Sequence, residues 1–350
     1  MNPFASIILP PLSAIYSVVT RARISGYKRG WFSVSKLSAP VISVGNLTTG
    51  GTGKTPLVEW VCKVVARETG KRVCVLTRGY GRANPQSQVA VSDGNKLLAS
   101  EREAGDEPYL LAQNLNGIAA VVSNPDRLAA GQWAIKNLGS EVFMLDDGFQ
   151  HLRLARDLDI VTIDATNPWG GGTLLPYGRL REPRASLSRA DCIVVTRTEQ
   201  VQDRVSLTES VQRLAGAVPV FTSRMMTSGI RIINGENVNN ESLLTQPIAA
   251  FCGVGNPESF FNKLRQEGYT TVFTRAFADH HDYSQADLNQ LIKEAKDHGA
   301  SGLITTAKDA LKLAALELDL SCYVLEIKIS IDDDARLMKM IQAACQPREQ

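Results

Sequence analysis

The sequence predicts an α/β fold: a mostly parallel sheet with helices on both faces, followed by a smaller C-terminal α/β lobe. Three observations lead there. Short apolar, β-branched runs recur between helical stretches, as when parallel strands alternate with crossover helices. One run, Val41–Val44, leads through Gly50-Gly51-Thr52-Gly53-Lys54-Thr55 into an amphipathic segment from Pro56 to about Arg67. Another, Val142–Leu145, ends in the carboxylate pair Asp146-Asp147.

Strand, glycine-rich turn, Lys-Thr, helix is the order of a phosphate-cradling P-loop, so the sheet is expected to be of the P-loop NTPase type. Backbone N–H groups across Thr48, Thr49, Gly50, Gly51, Thr52, Gly53, Lys54 and Thr55 would wrap a triphosphate, helped by the positive end of the helix dipole. Lys54 would neutralise β/γ-phosphate oxygens, and the Thr55 hydroxyl would ligate Mg²⁺. The loop departs from the standard pattern at Thr48, where a glycine is usual; the Gly50-Gly51 doublet supplies the flexibility instead. A related variant carries, at the position of Thr49, a lysine that reaches across a dimer to the partner's nucleotide. Threonine there argues against that mechanism. The chain is expected to use ATP or GTP.

The segment 1–38 precedes this lobe. No acidic residue occurs before Glu59, whereas Arg21, Arg23, Lys28, Arg29 and Lys36 follow an apolar stretch from Phe4 to Val19 that Pro10-Pro11 interrupts. The stretch is too short and broken to span a bilayer, and its order is the reverse of a signal peptide. Apolar residues followed by cations, Tyr27, Trp31 and Phe32 suit a helix lying in a membrane interface. The alternative is a helix docked on the protein's own core.

Residues 39–220 form the expected nucleotide lobe. Strands are predicted at Val41–Val44, Val73–Thr77, Ala119–Val122, Val142–Leu145, Ile160–Ile163 and Ile193–Thr196, with helices at Glu107–Leu115 and Arg127–Asn137. Ligands bind such sheets at the carboxyl ends of the strands. Residues 221–246 read as a β-hairpin region, with Ile230–Ile233 running into an Asn234-Gly235 turn. Residues 247–350 read as the smaller lobe, with strands at Ile248–Cys252, Gly302–Thr305 and Tyr323–Ile329. Its helices are expected at Pro257–Gln266, Gln285–Asp297 and Asp334–Ala344.

A chain of 350 residues that is 44% hydrophobic and 21% charged is globular, not disordered. Its six cysteines are scattered without a Cys-x-x-Cys pair, which fits reduced buried thiols and excludes a disulfide frame or zinc site.

Several constellations carry chemistry. Asp146-Asp147 at a strand's end suits a Mg²⁺-holding carboxylate, and alternation points the two side chains in different directions. Gln150 and His151 follow at the same edge. Asp106 opens a helical segment and admits two readings, an N-cap or a base for an attacking hydroxyl. Asp279-His280-His281-Asp282 is poor geometry for one metal ion and reads as either a carboxylate-oriented imidazole or a solvated loop. Arg78 and Arg82 lie among glycines, and Arg179, Arg181 and Glu182 form a second charged loop; phosphate recognition and plain surface solvation both fit.

Taken together, the motifs resemble the tetraacyldisaccharide 4'-kinase family. They are Val44-Gly45-Asn46-Leu47, the glycine-rich loop through Pro56, Thr77-Arg78-Gly79-Tyr80-Gly81 and Gly105-Asp106-Glu107-Pro108. Leu145-Asp146-Asp147-Gly148-Phe149-Gln150-His151, Arg181-Glu182-Pro183, Asp279-His280 and Thr305-Thr306-Ala307-Lys308-Asp309-Ala310 complete the set, in family order. The resemblance implies an ATP- and Mg²⁺-dependent lipid kinase that phosphorylates the 4'-hydroxyl of an acylated glucosamine disaccharide 1-phosphate in lipid A synthesis. It also implies a peripheral position on the cytoplasmic face of the Gram-negative inner membrane. By the same resemblance Asp106 is the base with His280 as its partner, and Lys54 steadies the transferring phosphoryl group. Thr55 with Asp146 or Asp147 holds Mg²⁺, and Asn46, Arg78, Arg82, Gln150, His151, Arg181 and Glu182 bind substrate. Ala307 departs from an acidic position of the family pattern, so that motif receives no catalytic role. Neither a nucleic acid nor an obligate protein partner is expected. Two other classes stay open: a membrane-associated regulatory NTPase, and a soluble P-loop kinase of a small metabolite.

Overall fold

A computed structural model of the chain describes residues 3–233 and 235–346. The strands are β1 (Val41–Asn46), β2 (Val73–Thr77), β3 (Val89–Ser92), β4 (Ala119–Ser123), β5 (Val142–Asp146), β6 (Leu158–Asp164), β7 (Cys192–Thr196), β8 (Val220–Ile232), β9 (Asn237–Val238), β10 (Ile248–Cys252), β11 (Thr271–Ala276), β12 (Gly302–Thr306) and β13 (Cys322–Ile331). The helices are α1 (Pro3–Lys28), α2 (Lys54–Thr69), α3 (Glu101–Ala104), α4 (Asp106–Asn114), α5 (Arg127–Leu138), α6 (Arg204–Ala215), α7 (Asn240–Leu244), α8 (Pro257–Gln266), α9 (Gln285–Asp297), α10 (Ala307–Leu313) and α11 (Asp334–Ala344).

Two compact units emerge, Met1–Arg224 with Ser330–Gln350, and Met225–Ile329. In the first, the strands lie in the order β8-β7-β6-β1-β5-β2-β4-β3. Every pairing along that row is parallel except β3 with β4. β1, β2, β4, β5, β6 and β7 are buried along their whole length, as continuous Val/Ile/Leu runs require when helices cover both faces. The expected α/β sheet is therefore present. β3 was absent from the expectation: it is a four-residue edge strand, two residues buried and two partly buried, too short to stand out as an apolar run.

α2 buries Leu57, Val58, Val61, Cys62, Val64 and Val65, one stripe at helical spacing, and stops at Gly70 in the left-handed region. α11 packs with α2 in this same unit. Lys71 Nζ donates to Cys345 O at 2.5 Å and Gln342 Nε2 donates to Glu68 at 3.2 Å, while Leu337 and Ile341 are buried. The second unit thus differs from the expected 247–350 lobe at both ends. It begins on the far half of β8 and stops before α11, because that helix's apolar face finds its cover in the first unit.

The second unit pairs β11-β10-β12-β13 in parallel. Phe251, Leu288, Leu291, Leu303 and Val324 centre one of its cores. β9 pairs antiparallel with β8, Val238 against Ile230, so a hairpin closes there; Asn234 of the expected turn lies outside the described residues. The segment before the sheet is a single helix, α1, with Pro10 and Pro11 inside it.

Candidate active site

Parallel pairing brings strand ends to one edge of the first unit: Val44 beside Asp146, Asn46 beside Thr162, and Asp164 beside Thr196. The glycine-rich loop leaves β1 at this edge and enters α2 through Gly53 at φ 77°, a conformation glycine adopts without steric cost. The loop's carbonyls are tied to the protein. Arg197 Nη1 donates to Gly51 O at 2.7 Å, Thr196 Oγ1 to Thr52 O at 2.9 Å, and the Thr52 and Thr162 hydroxyls share a bond at 3.0 Å. Arg197 is itself paired with Asp164. Upstream, Thr48 is buried, and Thr49 N–H donates to Arg179 O at 2.8 Å.

Lys54 Nζ donates to Asn46 Oδ1 at 3.3 Å and lies 3.6 Å from Asp147 Oδ1. Asp147 Oδ2 sits 2.6 Å from Arg181 Nη1, which reaches Gln150 Oε1 at 3.4 Å. Gln150 Nε2 closes the ring on Asn46 O at 3.0 Å. Asp146 ends β5, and Asp147 turns out of the strand at φ 54°, so the two carboxylates face different neighbours. Asp146 Oδ2 accepts from Thr77 Oγ1 at 3.2 Å. Burial, then Glu107 and Asp147, push the Asp146 carboxyl up to about 6 against the pull of Lys54 and Arg127. Burial would also raise Asp147, but Lys54 and Arg181 outweigh it and hold that carboxyl below its usual range. One carboxylate is thus firmly ionised and its neighbour poised near neutrality.

The other expected residues divide. Arg78 is exposed, stacks over Tyr80 at 5.0 Å and donates to its hydroxyl at 2.8 Å. Arg82 is buried, and its guanidinium donates to Ser123 O at 3.1 Å and Pro85 O at 2.6 Å, bracing the loop after β2. Glu182 is buried against Arg189, with contacts of 2.9 and 3.3 Å. Both Glu182 oxygens and the two Arg82 Nη atoms are taken up by the protein itself, while Arg82 Nε is buried without a hydrogen-bond partner. His151 is half-buried beside Asp126 and Arg153; burial, with Arg127 and Arg156, pushes its imidazole down to about 4.

Asp106 is buried and begins α4, while the N-cap is Gly105, at φ 89°. The carboxylate accepts from the N–H of Glu107 at 2.9 Å. Asp106 is thus one residue inside the helix, its carboxylate bonded to a first-turn N–H. His280 belongs to the second unit, on the loop after β11, in the left-handed region at φ 61°.

The profile of the tetraacyldisaccharide-1-P 4'-kinase family matches residues 5–346. The tetraacyldisaccharide 4'-kinase of Geobacter metallireducens is 42% identical over 307 residues, 87% of this chain and 88% of that one. The enzyme of the same name from Desulfotalea psychrophila is 36% identical over 326 residues, 93% and 92% of the two chains. The crystal structure of the "apo" form of LpxK from Aquifex aeolicus in complex with ATP superposes with a TM-score of 0.76 at 33% identity, covering 96% of this chain and 98% of that one. The chain belongs to the tetraacyldisaccharide-1-phosphate 4'-kinase family. It is a phosphotransferase of lipid A synthesis, and the regulatory-NTPase and small-metabolite readings fall away.

Further residues surround this candidate site. Thr77 bonds Asp146, Glu107 raises its proton affinity, and buried Arg127 lies close enough to both carboxylates to stabilise their charge. Arg197 and Asp164 brace the loop. All but Glu107 sit at or just past the carboxyl end of a strand or in the first turn of the helix that follows, a positional signal the sequence does carry. Among the described residues no helix is long and apolar enough to cross a membrane.

Proposed function

We propose that this kinase transfers the γ-phosphoryl of ATP to the 4'-hydroxyl of tetraacyldisaccharide 1-phosphate, as a peripheral enzyme on the cytoplasmic face of the Gram-negative inner membrane. The observation that carries the reading is the Lys54 ammonium, held between Asn46 and Asp147 at the head of α2. With loop carbonyls tied inward by Thr196 and Arg197 and the Thr49 amide bonded to Arg179 O, the loop's amides from Gly50 onward are the groups that would meet phosphate oxygens. The Aquifex aeolicus relative was crystallised with ATP, which supports the choice of nucleotide.

Thr55, Asp146 and Asp147 form an all-oxygen donor set, the chemistry a hard divalent cation takes, and Asp147 Oδ1 is buried without a hydrogen-bond partner. Among the described residues no three His, Cys, Asp or Glu side chains cluster, so phosphate and water would complete the shell. Those three residues would hold Mg²⁺, which supplies charge neutralisation to the phosphates. Lys54 steadies the transferring group. Asp106 accepts the proton of the 4'-hydroxyl, with His280 as its partner, since a sugar hydroxyl needs one positioned base. Asn46, Arg78, Gln150, His151 and Arg181 meet the substrate, while Arg82 and Glu182 hold the loops that carry them.

The membrane part of the reading rests on α1. Ile8, Leu12, Ile15, Val18 and Val19 are exposed, with Trp31 and Phe32 beyond the helix, and Arg21, Lys28 and Arg29 supply cations for anionic headgroups.

The test is transfer of labelled γ-phosphate from ATP with Mg²⁺ to tetraacyldisaccharide 1-phosphate in micelles. The wild type labels the lipid, and Lys54→Ala lowers that labelling by about 100-fold or more. Label released to water with none in lipid overturns the reading.

A further inference from the structure

The motif Thr305–Ala310 received no task from the sequence, yet its lysine touches the imidazole on which the proposed chemistry depends. Lys308 Nζ lies 3.2 Å from His280 Nε2 and 3.4 Å from Asp279 Oδ1. An ammonium has three donors and no acceptor, so a nitrogen that bonds it must offer a lone pair. We propose that Lys308 is a positioning residue for His280: it donates to Nε2, keeps the imidazole neutral and fixes its proton on Nδ1. The inference rests on the reading of His280 as partner of the base, and it names the form in which that imidazole works.

Three features of the second unit support it. The Lys308 side chain is only 15% exposed, which is uncommon for lysine away from a partner. It stands in the first turn of α10, where a cation opposes the helix dipole, so helix formation does not call for it there. The imidazole is also held against local preference. His280 is at φ 61°, a costly conformation for a non-glycine residue that persists only where surrounding contacts enforce it.

Those contacts run through the same motif. The Asp309 carboxylate accepts from Gly253 N–H at 2.9 Å, Tyr283 Oη at 2.9 Å and Thr306 Oγ1 at 2.6 Å. Gly253 O in turn accepts from His280 N–H at 3.2 Å. On the other side Lys312 Nζ donates to His281 O at 3.0 Å, and the His281 ring stacks on Phe277 at 4.7 Å. Asp309 fixes the backbone of the loop, and Lys308 fixes the ring that the loop presents.

Asp279 is the competing influence. Its Oδ1 is 3.9 Å from His280 Nε2, and a carboxylate alone would favour the imidazolium. Lys308 lies nearer that same oxygen, at 3.4 Å, so it both neutralises Asp279 and takes the Nε2 lone pair. A neutral ring with hydrogen on Nδ1 is a donor, the form suited to orienting a carboxylate.

The experiment uses the full chain labelled with ¹⁵N-histidine, its four histidines resolved by comparison with His280→Gln. At pH 7.5 the His280 signal should be that of a neutral ring protonated on Nδ1. Lys308→Met should move it to a tautomer mixture or the charged form and lower kcat about tenfold or more. KM for ATP should stay within about twofold, and Lys308→Arg should restore part of both. Lys312→Met removes a loop anchor without touching the ring, and its His280 signal should match the wild type. A wild-type ring protonated on Nε2, or an unchanged His280 signal in Lys308→Met, overturns the proposal. Full turnover in His280→Ala would instead sink the reading of His280 as partner of the base, whatever the ring's tautomer.

Discussion

His151 shows how the site's charge acts on single residues. Burial and the cations Arg127 and Arg156 depress its pKa to about 4, from an ordinary value near 6.5. Between those two values the unfolded chain binds the proton and the folded one does not, so stability rises with pH across the window and is lost as pH falls through it. His151→Gln removes this linkage. Its melting temperature should fall less than the wild type's between pH 6.5 and 4, with the two curves parallel above pH 7; identical pH profiles would refute it. Legibility at this scale follows exposure. The placement of Lys54, Asp146 and Asp147 at one strand edge was readable, because each sits in a local motif at the end of an apolar strand. Arg82 and Glu182 looked like ligand contacts, yet both are buried and bound to the protein. A charged residue beside glycines reads the same whether its partner is a ligand or a carbonyl brought near by folding. Lys308 was overlooked for the complementary reason: its partner, His280, lies in a different motif.

Elements were more legible than their partners. β1, β2, β4, β5, β6 and β7 were expected at or within a few residues of their positions because buried parallel strands are continuous apolar runs, whereas the first half of β8 was not expected as a strand. β3, antiparallel and only four residues long, is too short to give that signal, and α11 revealed its apolar face but not what would cover it. The turn that starts α4 shows why such details bear on chemistry. Gly105 holds φ 89°, and a Cβ there would stand 2.5 Å from Tyr80 O. Gly105→Ala therefore meets both a strained backbone and a clash with a carbonyl, about 1–3 kcal/mol from the backbone alone. Because Asp106 is the next residue, the adjustment moves the proposed base. The melting temperature should drop by about 5 °C or more. Turnover should fall at least about tenfold with KM for ATP unchanged, because the glycine-rich loop lies on a different strand end. Unaltered melting and unaltered turnover would show that the turn tolerates a side chain and that its geometry is not what sets Asp106.

For the molecule as a whole, the question is how a phosphate-transfer site meets an acylated substrate. In the proposed interfacial role, α1 would link bilayer and site within the first unit. Ser13 Oγ donates to Leu174 O at 2.8 Å, Tyr16 Oη to Arg181 O at 3.0 Å, and Arg23 Nη2 to Gln150 O at 3.1 Å. The helix is thus tied to the residues that bear Arg181 and Gln150, while Ile15 and Val19 remain 61% and 60% exposed. Five apolar side chains on one helix, with cations at its C-terminal end, would cost free energy in water and gain it in an anionic interface. Ile15→Glu combined with Val19→Glu removes the apolar gain and adds repulsion without touching the polar ties. Each buried aliphatic side chain is worth about 1.5–3 kcal/mol, so recovery with phosphatidylglycerol vesicles should fall more than about tenfold. The melting temperature should be unchanged, and activity on lipid dispersed in detergent should survive while activity on vesicle-borne lipid is lost. If α1 served only as packing for the core, the two glutamates would leave vesicle recovery intact, and the interfacial role would have to be abandoned.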